Sequence, residues 1–161
     1  DAEPVGFFKG FGGFTGNVDR WHYYYLYTPS TAVIDFGSAP VEMQIGEDER
    51  DRGVRIFALH FVTPVTKDYT IDRWMHIRNS ALDDPAAEET MDRMFRIAFA
   101  EDKEILEAVQ QEEERPAKRR PIRIAIDKGP LVYRKRINDL LELERTEDLA
   151  SDPSPAFVYH D

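Results

Sequence analysis

Few residues in this chain are of a type that could carry chemistry. There are four histidines, His22, His60, His76 and His160, and no cysteine. No two histidines stand three to five positions apart, so the sequence holds no local two-histidine metal motif. Without cysteine the chain itself can hold no disulfide, thiol nucleophile, thiolate zinc site or iron–sulfur cluster. The remaining candidate is a carboxylate in an apolar pattern. Met91, Phe95, Ala98, Ile105 and Val109, with Met94 and Leu106 beside them, recur at the spacing of one helix face. The position that fills the gap between Ala98 and Ile105 is Asp102. At about 100° per residue Asp102 falls inside the core-facing arc, whereas Glu101, Lys103 and Glu104 fall off its centre.

An ionised carboxylate is costly to remove from water without a partner. Asp102 therefore has three readings: a salt-bridged core aspartate with Arg73 or Arg78, a wet residue at the rim of the stripe, or a metal ligand or catalytic acid. Pattern alone leaves the three open. His60 sits mid-strand between Leu59 and Phe61, where a lone histidine is more often a satisfied core group than a ligand. Whether His60 and His76 share a sheet face depends on strand register, and a slip of one residue reverses the answer. Gly10-Phe11-Gly12-Gly13 lacks the strand–helix context of a dinucleotide fingerprint. Neither a nucleophile elbow nor a phosphate-binding loop is present. The basic cluster Arg115, Lys118, Arg119 and Arg120 suits a helix C-terminus, with an acidic partner as the alternative.

Several elements must position these groups. Residues 5–16 interleave glycine with phenylalanine, which argues against a stable helix and for a bending loop or irregular strand. Trp21–Thr28 is a strand by aromatic content, bulky on both faces, and Pro29 ends it. Thr31–Phe36, Val41–Ile45, Val54–Val62 and Thr70–Ile77 are further strands, predicting an antiparallel meander over residues 18–78. Asp83-Asp84-Pro85 is a helix start, and the helix is expected to run to about Glu114. A short strand is expected over Arg123–Ile126. A second helix should follow Asp127-Lys128-Gly129-Pro130, with Tyr133, Ile137, Leu140, Leu141 and Glu144 in its stripe. Ser151-Asp152-Pro153-Ser154-Pro155 opens a tail in which Phe157, Val158 and Tyr159 could dock.

At 161 residues with 42% hydrophobic and 32% charged residues, the chain has the size and balance of one packed domain. Its net charge of −10 argues against a free-standing nucleic-acid binder, and no apolar run approaches the roughly 20 residues that span a bilayer.

Four segments in this order resemble a known family. They are His60-Phe61-Val62-Thr63-Pro64-Val65-Thr66, the strand after it, Asp83-Asp84-Pro85, and Ala100 to Gln110 with its Glu101-Asp102-Lys103 core. Together with Ile124-Ala125-Ile126-Asp127 they resemble the catalytic domain of Rieske non-haem iron aromatic-ring oxygenase α subunits, in the vanillate O-demethylase and dicamba monooxygenase-like branch.

The resemblance implies an α+β helix-grip (Bet v 1-like) fold: a curved antiparallel sheet packed on a long C-terminal helix, incomplete at its N-terminal side. Residues 1–150 would be the C-terminal part of the catalytic domain and 151–161 a tail. Asp102 would be the carboxylate of a two-histidine, one-carboxylate Fe(II) site, with both histidines upstream of this segment, and the Rieske [2Fe-2S] cluster would lie in a domain not present here. That family's ligand set leaves iron positions open to dioxygen and substrate. His60, and more loosely Asn17, would bind substrate in a pocket whose aromatic candidates are Phe11, Phe14, Tyr23, Tyr25, Phe95 and Phe99. The implied activity is hydroxylation or oxidative demethylation of an aromatic acid with O2. NAD(P)H-derived electrons would come through a reductase or ferredoxin, in a cytoplasmic enzyme that is a homotrimer at full length and engages neither nucleic acid nor membrane. The segment alone is expected to be inactive. Two alternatives stand beside this: a helix-grip small-molecule binding module without redox activity, and an interaction domain in which Asp102 is merely salt-bridged. The ligand reading rests on Asp102 facing inward.

Overall fold

The computed structural model describes residues 2–4, 6–9, 12–115, 124–146 and 157–160. The strands are β1 (Val18–Tyr27), β2 (Thr31–Pro40), β3 (Val54–Pro64), β4 (Thr70–Arg78) and β5 (Phe157–His160); the α-helices are α1 (Gly6–Lys9), α2 (Pro85–Glu114) and α3 (Lys128–Arg145). All the strand pairings are antiparallel, in the order β4-β3-β2-β1-β5. This is the expected α+β meander with a long helix packed on one face. The tail contributes β5, which pairs Leu26 with Phe157 and Tyr23 with His160.

The sheet departs from expectation at β2. The Gly37-Ser38-Ala39-Pro40 stretch lies between the expected strands Thr31–Phe36 and Val41–Ile45, yet the ladder runs through it, pairing Trp21 with Gly37 and Val18 with Pro40. Only then does a 3₁₀ turn, Val41–Met43, replace the expected strand over 41–45. Gly37 belongs inside the sheet for a steric reason. A Cβ there would lie 2.2 Å from Trp21 Cζ2 and 2.3 Å from the Val54 carbonyl oxygen. Glycine here lets an indole and a neighbouring strand approach the backbone.

Two other expectations are corrected. Gly6–Lys9 forms one short α-helical turn despite its glycine. It carries Phe8 into the core, where Phe8, Ile56 and Met91 are buried, with Phe14, Phe36, Val54 and Phe95 packed around them. Ala125–Asp127 is a 3₁₀ turn rather than part of a strand. Phe11, Lys118, Arg119, Arg120 and the proline-rich 151–155 lie outside the described residues.

The start of α2 is set locally. Asp84 is extended and its carboxylate accepts from the backbone N–H of Ala86 and Ala87, with Pro85 at the first helical position. From Met91, packed with Ile56, to Phe99, ringed against His60, the helix advances about 12 Å. From Ile56 to His60 β3 advances about 13 Å. So α2 runs alongside β3, in the same direction.

Candidate functional site

The register settles which side chains share the helix-facing side of the sheet. Phe36 touches Phe95 of α2, with ring centroids 6.4 Å apart, and Phe36 pairs with His22 and Ile56. Counting by twos from these rows places His22, Tyr24, Ala58, His60, Asp72, Trp74, His76 and Arg78 on that face. His60 pairs with Trp74 and Ala58 with His76, so His60 and His76 are diagonal neighbours on one face. Tyr23 and Tyr25, pairing with Asp35 and Val33, point to the opposite face. They are thereby removed from the aromatic lining expected beneath α2.

A ring cluster fills the space between β3, β4 and α2. His76 stacks on Phe95 with centroids 3.5 Å apart and planes 11° from parallel. Phe99 meets Trp74 at 4.9 Å and His60 at 5.4 Å, both edge-on. Burial holds the His76 imidazole down to about 4, with the nearby His60 adding in the same direction. Its Nε2 is buried with no hydrogen-bond partner among the described residues, which suits a neutral ring. Trp74, His76, Arg78, Leu82, Met91 and Phe95 line an open groove of about 360 Å³ along the β4 side of α2.

His60 is held differently. Its Nδ1 lies 2.8 Å from Asp72 Oδ2, and its side chain is 15% exposed against 42% for Asp72. A carboxylate only accepts hydrogen bonds, so the shared proton sits on Nδ1. Among the described residues the contact to Asp72 through Nδ1 is the ring's hydrogen bond, and Nε2 is left to a ligand. Asp72 was not singled out by the sequence reading; a histidine and an aspartate twelve residues apart carry no signal until the register is known.

Asp102 follows Phe99 by three residues and Phe95 by seven, which places it on the helix face that carries those rings. The expected burial is not met: Asp102 is exposed, as is every residue from Ala100 to Arg115. The salt-bridge reading is corrected too. Arg73 pairs with Phe61 on the face away from α2, and a guanidinium nitrogen of Arg78 is buried with no hydrogen-bond partner among the described residues. The exposure belongs to the whole half-helix: Ile105, Leu106 and Val109 are 64%, 67% and 49% exposed. Opposite them on β3 and β4, Val62 and Asp72 are exposed as well. Beyond Phe99 the helix and the sheet no longer cover one another.

Asn17 and His60 are not brought together. Asn17 precedes β1 at the Val18–Pro40 end and is exposed beside a small cleft with Gly12, Phe14 and Glu42. His60 lies in the row of Ala32 and Leu26, nine positions along β1, roughly 30 Å away.

No group of three His, Cys, Asp or Glu side chains that could hold a metal occurs among the described residues. Asp102 supplies one oxygen donor, and His60 Nδ1 is engaged by Asp72. The residues present do not form an iron site by themselves.

The opposite face of the sheet holds a structural ion cluster. Asp35 is fully buried and accepts from Trp21 Nε1 at 3.2 Å, Arg55 Nε at 2.9 Å and Arg55 Nη2 at 2.7 Å. Arg50 Nε stands 3.4 Å from Oδ2, within ion-pair reach but without hydrogen-bond geometry. The 3₁₀ segment Glu47–Arg52 brings Arg50 there and lays its guanidinium over Tyr23. These contacts, with the full burial of Asp35, mark a structural cluster.

Comparison with known proteins adds a family. The model of the vanillate O-demethylase oxygenase C-terminal domain matches residues 1–143. Two relatives from Comamonas testosteroni are each 31% identical over 137 residues. One is the putative toluene-4-sulfonate monooxygenase system iron-sulfur subunit TsaM2, the other the toluene-4-sulfonate monooxygenase system iron-sulfur subunit TsaM1. The match covers 84% of this chain and 40% of each relative. This chain therefore spans well under half the length of either. No solved structure gives a significant match.

Proposed function

The chain belongs to the family of vanillate O-demethylase oxygenase C-terminal domains, the C-terminal domains of Rieske oxygenases, and we propose that it is the distal part of the catalytic domain of an enzyme that oxygenates an aromatic substrate. The family match over residues 1–143 carries this reading. The geometry supports it: a sheet face rich in aromatic rings, with His60 held by Asp72, packs on Phe99 of α2, one turn before Asp102.

In this reading Asp102 contributes the one carboxylate ligand of a non-haem iron site, and two histidines come from a part of the protein outside this chain. The Rieske cluster is likewise held elsewhere, since this chain has no cysteine. His60 contacts the substrate. Asn17 does so only if the rest of the protein carries the pocket across the sheet. Dioxygen is the co-substrate, and a reductase or ferredoxin supplies the electrons. Hydroxylation and oxidative demethylation both fit.

The test is made in the natural full-length protein. Asp102→Ala is expected to abolish bound non-haem iron and turnover while leaving the Rieske spectrum intact. Unchanged iron content and turnover would remove Asp102 from the site.

A further inference from the structure

His60 offers a ligand only one of its ring nitrogens, and the reason lies on the neighbouring strand. Asp72 is two residues before Trp74, the cross-strand partner of His60, and its Oδ2 takes the Nδ1 proton at 2.8 Å. Phe99 closes one side of the ring edge-on at 5.4 Å. We propose that Asp72 is the positioning residue of this site: it fixes the tautomer and ring orientation of His60 so that Nε2 is presented to the hydroxyl of a bound phenol.

The ligand class follows from the proton arrangement and rests on the oxygenase reading for the aromatic part. With Nδ1–H committed to Asp72, the neutral ring has a lone pair at Nε2 and accepts from O–H. The protonated ring donates from Nε2 to a phenolate. An acidic aromatic hydroxyl thus satisfies His60 in either state by sharing one proton. An ether oxygen at the same place can only accept, and meets a lone pair when the ring is neutral. Asn at position 72 could turn its amide to donate to Nδ1, and the tautomer would no longer be dictated.

The experiment is calorimetric, on the natural full-length protein, with vanillate and its O-methylated counterpart 3,4-dimethoxybenzoate as probes. The parent is expected to bind vanillate more tightly. Asp72→Asn should weaken vanillate by about tenfold, the worth of one charge-supported hydrogen bond. It should change 3,4-dimethoxybenzoate by less than about threefold, and Asp72→Glu, which keeps the carboxylate, should recover most of the vanillate affinity. Equal weakening of both probes in Asp72→Asn, or equal binding of both by the parent, would overturn the proposal. Loss of vanillate binding in His60→Gln but not in Asp72→Asn overturns the positioning role alone. No loss in either variant takes the substrate role of His60 down with it, whatever the iron content of Asp102→Ala shows.

Discussion

The imidazole of His76 lies flat on the ring of Phe95, 3.5 Å between centroids. The contact joins the edge strand β4 to α2, and it excludes enough water to disfavour the charged ring.

A pH dependence follows from this contact. The ordinary value of 6.5 for His76 is lowered to about 4 in the folded chain. Between those values the unfolded chain takes up a proton that the native chain refuses, so stability is fully present above about 6.5 and is lost as pH falls towards 4. Urea midpoints measured across that window should fall in the parent. In His76→Phe, which keeps the stack and removes the titration, the slope should flatten. An equal slope in both chains would refute the assignment.

Asp35 answers two arginines and an indole from a fully buried position. Its hydrogen bond to Arg55 is the largest influence holding that guanidinium above its ordinary value. Asp35→Ala leaves buried donors without an acceptor, and the expected cost is roughly 3–5 kcal/mol, read from urea unfolding. A cost below about 1 kcal/mol, the range of an exposed ion pair, would show the cluster to be wet.

Asp84 caps α2 through two backbone N–H groups. Asp84→Ala should lower stability by about 1 kcal/mol, and Asp84→Ser should restore most of it. Because α2 carries Phe95, Phe99 and Asp102, circular dichroism on the alanine variant should also show fraying at the helix start.

Much of the scaffold was legible because its signals are local. The Asp84-Pro85 cap placed the helix start, and β3 and β4 were legible from β-branched and aromatic runs separated by a turn. The expected strand Thr31–Phe36 stops one residue short of Gly37, because glycine is poor in strands and only the approach of Trp21 from another strand shows why one belongs here. The site was legible in part. The stripe placed Asp102 on the face of Phe95 and Ala98, but periodicity gives direction and not burial, and the sheet does not cover the second half of α2. The Asp72–His60 pair and the His60–His76 diagonal depend on register, which no single segment encodes.

Because the sheet grips α2 only up to Phe99, the distal half behaves as a cantilever. Asp102 stands about 4.5 Å along the axis beyond Phe99, the last ring of α2 held by the sheet. The aim of Asp102 is therefore set from one turn away, by the fit of Phe95 and Phe99 against Phe36, His76, His60 and Trp74, and reshaping those rings would mis-aim the acid without touching it.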